Sequence, residues 1–162
     1  MDNARELFEH ELRDIYDAEE KLVRATETMA KKVTDKTLTS AFEEHCEVTK
    51  GQVKRLETVF KAIGREPRRE KCPGINGLIE EFSEFTKENP SDAVLDFFAI
   101  GAATKVEHYE INAYKSLIAL AETLGVDPTL LQQNLAEEEE TAKKLESMSS
   151  TFAQRVPVGA TA

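Results

Sequence analysis

Long hydrophobic runs are absent from this sequence of 162 residues, although 40% of its residues are hydrophobic. A membrane-spanning helix needs roughly 20 consecutive apolar residues, and no stretch of the sequence approaches that length. The first residues, Met1 to Glu6, also lack the apolar segment of a secretory signal peptide. These two absences predict a protein with no membrane partner and a cytoplasmic location.

Cysteine and positive charge are also scarce. The two cysteines, Cys46 and Cys72, are too few for a disulfide framework, and a cytoplasmic protein would keep both reduced. The formal net charge is −10, from 31 acidic and 21 basic residues. Nucleic-acid-binding proteins usually carry a basic stripe, and the nearest run, residues 65–71, is interrupted by two glutamates. We therefore expect no nucleic-acid partner, whereas an acidic surface can attract cations.

Strand patterns are missing too, and the chain instead shows four long helical seams. In each seam, apolar residues recur at alternating steps of four and three, which places them on one face of a helix. The seams begin at Phe8, Leu38, Ala99 and Leu131. They predict helices over about residues 3–33, 36–63, 92–124 and 128–154, with Asp35 and Asp127 as N-caps of the second and fourth.

The connections between these helices predict the topology. Short connections make the first and second helices, and the third and fourth, antiparallel neighbours. Residues 64–91 form one long crossover, which includes an apolar segment that predicts a short helix from Ile75 to Lys87. We therefore predict an all-α fold over residues 1–156, a ferritin-like four-helix antiparallel bundle whose long crossover carries a short extra helix. Residues 157–162 are expected to form a flexible C-terminal tail.

Each long seam carries an ionisable residue near its middle, where an unpaired charge would be very costly to bury. Four carboxylates and a neutral imidazole would be balanced by two divalent cations; without metal, like charges would keep some carboxylates protonated. Carboxylate and imidazole ligands suit iron or manganese better than a soft metal. The spacing therefore predicts a metal site at the middle of the bundle, formed by Glu19, His45, Glu107, Glu110 and Glu138.

The same residues also allow structural roles that involve no metal. A single glutamate near a seam is often an edge residue, and a lone histidine is more often hydrogen-bonded in a core than bound to metal. The Glu-x-x-His motif of many di-iron bundles does not occur. Tyr16 and Tyr114 either donate to the carboxylates or pack as aromatic core, and Gln52 is expected to be a hydrogen-bonding partner. His10 and His108 are expected on the surface.

Several segments of the chain resemble the YciF-like family of ferritin-like proteins, which are bacterial proteins associated with stress responses. The resemblance rests on residues 12–19 (LRDIYDAE), on His45 with Thr49 and Gln52, on residues 106–110 (VEHYE), and on Glu138 with Leu145. It implies a fold similar to rubrerythrin and ferritin, a di-iron or related di-metal centre with the same five ligands, and a dimer.

This chain departs from the family at one position. The family usually has an aspartate one turn after the glutamate of the last helix, where this chain has Ala142. The change weakens one metal position and leaves three alternatives for it: looser binding, no binding, or completion by water.

Three functions agree with these features. A di-iron centre could reduce peroxide or oxidise ferrous iron in a stress response. The same site could bind or store metal without turnover, so that whether the protein is an enzyme stays open. The third alternative is a structural or regulatory bundle without metal, in which the seam polar residues fix helix register. A homodimer is also expected, because the crossover carries the apolar residues Leu78, Ile79, Phe82 and Phe85, and exposed apolar patches often mark interfaces. The alternative is that these residues simply cap the bundle.

Overall fold

The computed structural model describes residues 1–159, and the described residues form five α-helices and no β-strand. The four long helices are α1 (Ala4–Lys32), α2 (Lys36–Ala62), α4 (Asp92–Leu124) and α5 (Thr129–Ala153), and the short α3 (Pro73–Lys87) lies in the crossover. The hairpins α1–α2 and α4–α5 pack side by side, and α3 packs mainly on α4. The predicted ferritin-like four-helix bundle with a short helix in its crossover is confirmed.

The predicted flexible tail lies partly beyond this description. Residues 157–159 follow α5 without regular structure, and residues 160–162 lie outside the described residues, so that the tail stays a prediction. Within residues 1–159, no helix is long and apolar enough to cross a membrane.

Local side-chain chemistry fixes the helix ends. The Asp35 side chain accepts hydrogen bonds from the backbone N–H groups of Thr37 and Leu38, at 2.8 and 3.1 Å, and is the N-cap predicted for α2. Helix α4 ends at Gly125, whose φ of 68° is the left-handed conformation typical of a helix C-terminus. The start of α5 differs from the prediction. Asp127 accepts from the backbone N–H of Thr129 in a tight local turn, so that the helix begins one residue after Pro128 rather than at it.

The hydrophobic core is divided into two clusters along the bundle. One cluster contains the early part of α1 and the late part of α2, with residues such as Phe8, Leu12 and Leu56. The other contains the end of α1 and the start of α2, with residues such as Met29 and Leu38. With the exception of Asp96 near the start of α4, the buried polar side chains of α2, α4 and α5 fall between the clusters in sequence, which places a polar layer between two apolar ends.

The apolar residues of α3 are partly covered within the chain. Phe82 is buried, and Phe85 stacks on Phe98 of α4 with ring centroids 3.7 Å apart. Leu78 and Ile79 are half-buried against the core. These residues help to cap the bundle, and Leu78, Ile79 and Phe82 also border an open cleft between α1 and α3. The dimer itself stays a prediction.

Candidate metal centre

The polar layer contains all five residues that the sequence predicts as metal ligands. Each long helix supplies at least one of them, and all are buried: His45, the most exposed, has 9% of its surface accessible. They form two groups that share one carboxylate. The groups are His45, Glu107 and Glu138, and Glu19, Glu110 and Glu138. Within each group the potential ligand atoms lie within 4.8 Å of one another, so that one cation could contact all three side chains.

His45 is held between two helices of the opposite hairpin. Its Nε2 lies 3.2 Å from Glu107 Oε1 of α4, and its Nδ1 lies 3.4 Å from the hydroxyl oxygen of Thr141 on α5. The hydroxyl contact on one ring nitrogen leaves the other to face the carboxylates. Orientation of a histidine through its second nitrogen is a common feature of metal sites.

A chain of hydrogen bonds supports Glu19 from behind. The Tyr114 hydroxyl donates to Glu19 Oε1, and the side-chain amide of Asn134 donates to the Tyr114 oxygen at 2.8 Å. Arg55 in turn donates to the carbonyl oxygen of the Asn134 side chain and pairs with Glu137. Of the two roles open for Tyr114, the structure therefore shows hydrogen-bond donation to a carboxylate.

Some of the other hydrogen-bonding residues around the cluster were predicted from the sequence, and one was not. Gln52 donates to Glu138 Oε1, as expected from its position on the seam of α2. Tyr16 instead donates to Glu57 at 3.2 Å, outside the cluster. The sequence interpretation did not assign a role to Asn134. Its position one turn before Glu138 on the same face of α5 was the signal that could have identified it.

Unpaired oxygens provide the test of whether these residues suit a cation. Buried polar atoms are nearly always hydrogen-bonded in folded proteins, because leaving one unpaired is costly. Here each of the four carboxylates has a buried oxygen without a hydrogen-bond partner among the described residues. These atoms are Glu19 Oε2, Glu107 Oε2, Glu110 Oε1 and Glu138 Oε2. Four such oxygens in one layer suit the binding of divalent cations, because a cation would supply the partner that each carboxylate oxygen lacks.

The raised pKa values of the four buried carboxyls also indicate that their negative charge is poorly compensated by the surrounding residues. Burial, reinforced by the charge of Glu138, raises the pKa of Glu19 well above its usual range, and burial with the charge of Glu19 does the same for Glu110. Burial and the charge of Glu107 raise the pKa of Glu138. For Glu107, burial raises the pKa to about 7. Without a cation, these carboxyls therefore hold protons at pH values where exposed glutamates are ionised.

Ala142, the departure from the family pattern, belongs beside one of the two groups. It is buried and lies one turn after Glu138, in the direction of Leu145 and the cluster that contains Met29. His45 and Glu107 are also the members of the site nearest in sequence to that cluster on their helices. The aspartate that the resemblance implies at position 142 would therefore lie toward the group of His45, Glu107 and Glu138.

The other candidate residues lie outside the cluster. His108 is exposed and its Nε2 lies 2.8 Å from Glu146, as expected for a surface residue, and His10 is partly exposed. In the run of four glutamates on α5, Glu139 and Glu140 are exposed and only Glu138 is buried. The helical geometry therefore separates one inward carboxylate from its neighbours, as the seam predicts.

Comparison with known proteins gives a consistent set of relatives. Residues 3–156 match a protein family described as a domain of unknown function, DUF892. The Escherichia coli (strain K12) protein YciF is 38% identical over 152 residues, which cover 92% of this chain and 92% of YciF.

Solved structures share the fold. The crystal structure of the Escherichia coli stress protein YciF has a TM-score of 0.91 and 36% identity, with coverage of 96% of this chain and 100% of that chain. YcfI, a putative structural protein from Rhodopseudomonas palustris, has a TM-score of 0.88 and 40% identity, with coverage of 90% and 94%. A protein from Xanthomonas campestris pv. campestris, with 21% identity and a TM-score of 0.76 over 94% and 98%, shows the fold alone.

Proposed function

Because the chain belongs to the DUF892 family and is a relative of the stress protein YciF, we propose that it is a stress-response protein that binds two divalent metal ions. Iron is the metal that we propose, and manganese is the alternative. The observation that carries the proposal is the set of four buried carboxylate oxygens without partners, arranged in two groups that share Glu138.

The two groups would hold the metal ions in different ways. Glu19, Glu110 and Glu138 offer three carboxylates, and His45 with Glu107 and Glu138 offers an imidazole and two carboxylates. Glu138 belongs to both groups and would serve both positions, with one of its oxygens held by the amide of Gln52. Tyr114 would fix Glu19 in the same way through its hydroxyl. The absence of an aspartate at Ala142 would make the position at His45 the weaker one.

A redox activity is the function that this donor set supports best. When bound, a pair of iron ions supplies Lewis acidity and a store of electrons, which suits reduction of peroxide or oxidation of ferrous iron. The side chains contribute burial, which keeps bulk water from the carboxylates, and fixed hydrogen bonds, which hold Glu19 and Glu138 in position. Peroxide-reduction and ferrous-oxidation assays on the metal-loaded protein distinguish the two reactions, and a loaded protein without either activity is a storage protein.

A structural bundle without metal is the second candidate. It is favoured by the description of the Rhodopseudomonas palustris relative as a putative structural protein. In that function, the hydrogen bonds from Tyr114 and Gln52 would serve to fix the register of the helices. The cytoplasmic location and the homodimer remain predictions under either function.

Metal content separates these functions. Protein purified without chelator is analysed for metal per chain, as wild type and as the variants Glu110→Ala and Glu140→Ala. Glu110 is buried in the cluster, whereas Glu140 is exposed, and both lie on long helices of the bundle. Each variant therefore loses one carboxylate, but only Glu110→Ala loses a proposed ligand. We expect a sharp loss of metal in Glu110→Ala and wild-type content in Glu140→Ala. Equal metal content in the two variants would contradict the site.

A further inference from the structure

A cleft of about 650 Å³ lies between α1 and α3. Its floor is formed by α4, where Ala102, Ala103 and Val106 present small or branched apolar side chains. The cleft exists because α3 packs on α4 and contacts α1 at few positions, while the small side chains of the floor leave the space unfilled. Its volume is in the range of about 300–1,000 Å³ that is typical of small-molecule sites.

The walls of the cleft are apolar. Leu78, Ile79 and Phe82 line it from α3, and Leu22 and Met29 line it from α1. At its inner end it reaches the buried pair His45 and Glu107. Most of a ligand in this cleft would therefore lie against hydrocarbon, which favours an aliphatic or otherwise apolar body.

The charges at the cleft oppose the charge of the protein as a whole. The chain has a net charge of −10, yet four basic side chains line the cleft: Lys21, Arg24, Lys32 and Lys87. Among the described residues, Glu107 at the inner end is the only acidic side chain that lines it.

Two of the four basic side chains already have partners. Lys21 pairs with Asp17, and Lys87 pairs with Glu84. Arg24 and Lys32 are exposed and make no ion pair within residues 1–159. They lie eight residues apart on α1, about two helical turns, beside the apolar walls. A ligand with one negative charge and an apolar body would complement both features.

We propose that the cleft binds a single-chain aliphatic carboxylate, of the fatty-acid class. The alkyl chain lies along Val106, Ile79 and Phe82, and the carboxylate is paired with Arg24 and Lys32 at the mouth. This site uses side chains other than the proposed metal ligands, apart from His45 and Glu107 at its inner end. It therefore stands whether or not the protein binds metal.

Fluorescence of dansylaminoundecanoic acid tests this binding directly. Titration into the full chain should give saturable enhancement of dansyl emission with one probe per chain. Dodecanoate should displace the probe about tenfold more effectively than dodecanol, because only the acid can pair with the two cations. Absence of saturable binding would overturn the proposal, as would equal competition by the acid and the alcohol.

Charge variants identify the mouth. In Arg24→Gln/Lys32→Gln, we expect about tenfold weaker probe binding, because two charge contacts are lost. The control is Lys61→Gln/Lys143→Gln, in which two exposed lysines outside the cleft are changed with the same loss of net charge. Equal affinities in the two double variants would contradict the assignment of the carboxylate to Arg24 and Lys32.

Blocking variants identify the cleft itself. Thr28 lines the cleft and Thr58 does not, although both are exposed and both donate their hydroxyl to the carbonyl four residues earlier. Thr28→Trp should abolish saturable probe binding, and Thr58→Trp should retain it, with unchanged circular dichroism in both. Retained binding in Thr28→Trp would exclude the cleft. If the wild type sediments as a dimer and binds no probe, the cleft is an interface between copies instead.

Discussion

Glu19 shows, for a single residue, the arrangement on which the proposal of a metal site depends. One of its carboxylate oxygens accepts a hydrogen bond from Tyr114, and the other is buried without a partner. The donated hydrogen bond fixes the direction in which the free oxygen faces. Such supporting contacts orient the ligands of a metal site and contribute to its affinity.

The first prediction removes that support. Tyr114→Phe keeps the packing of the ring but deletes the donor to Glu19 and the acceptor for Asn134. We expect metal affinity to fall by about 10- to 100-fold, as is usual when a residue that orients a ligand is lost. The measurement is a manganese titration by calorimetry. Tyr16→Phe is the matched control, because Tyr16 donates to Glu57 outside the cluster, and equal effects of the two variants would contradict the role of Tyr114.

The second prediction concerns Ala142. Replacement by aspartate supplies a carboxylate one turn after Glu138, beside the group that contains His45. We expect Ala142→Asp to raise occupancy of the weaker metal position, whereas Ala136→Asp, at an exposed position of the same helix, should not. Metal content per chain after saturation and desalting measures both. Unchanged content in Ala142→Asp would show that the departure from the family pattern does not limit binding.

Among the elements, the docking of α3 on α4 includes one especially close contact, beside the stacking of Phe85 on Phe98. A Cβ atom at Gly74 would lie 2.5 Å from Cε2 of the Tyr109 ring. That ring is held by contacts of its hydroxyl with Cys72 Sγ at 3.2 Å and with Asp14 at 3.3 Å. A side chain at position 74 must therefore displace an anchored ring, whereas Gly77 on the same helix has open space around it.

The third prediction uses these two glycines as a matched pair. Gly74→Ala should lower the free energy of unfolding by about 1–3 kcal/mol, because the added methyl group overpacks the contact with Tyr109. Gly77→Ala should leave it unchanged or raise it by about 0.5–1 kcal/mol, because alanine favours a helix over glycine. Urea denaturation measures both. Equal stabilities of the two variants would show that the contact with Tyr109 does not constrain α3.

How far the sequence predicted these elements depends on the range of the interactions. Helical seams, the cap at Asp35 and the inward position of Glu138 follow from periodicity and local hydrogen bonding, and all three are confirmed. The packing of Phe85 on Phe98 was not predictable, because it depends on where α3 lies relative to α4. The hydrogen bond from Asn134 to Tyr114 was likewise not predictable, because it joins residues on two different helices whose relative position the sequence pattern does not give. The positions of the candidate ligands were also predictable, since four of them lie on seams and Glu107 lies three residues before Glu110 on the same face of its helix.

For the whole molecule, the buried carboxyls connect stability to pH and to metal. Their pKa values are raised in the folded state, so the folded protein binds protons more tightly than the unfolded chain does. The stability that this contributes is complete below the unfolded value of 4.5 and is lost as pH rises through the folded values, about 7 for Glu107. A metal bound at the proposed site would replace these protons, and we expect its binding to weaken in acid because the ligands must be deprotonated.

The fourth prediction follows from that sign. In the presence of chelator, the melting temperature should fall as pH is raised from 5 to 8, and saturating manganese should restore it most strongly at pH 8. Thermal unfolding followed by circular dichroism measures both series. Glu110→Gln removes one of the titrating carboxyls and should give a flatter pH dependence with chelator. A melting temperature that rises with pH in the metal-free wild type would contradict the assignment of protons to the buried cluster.

The number of ferrous ions bound by the intact chain tests the central proposal most directly. Metal-free protein is titrated with ferrous iron under anaerobic conditions at pH 7.5, and bound iron is measured after equilibrium dialysis. The two groups that share Glu138 predict two ions per chain, one of them bound more weakly because Ala142 offers no carboxylate. If the protein bound neither ferrous iron nor, in a parallel titration, manganese, the proposed metal site would be contradicted. The buried carboxylates would then serve only to fix the register of the helices.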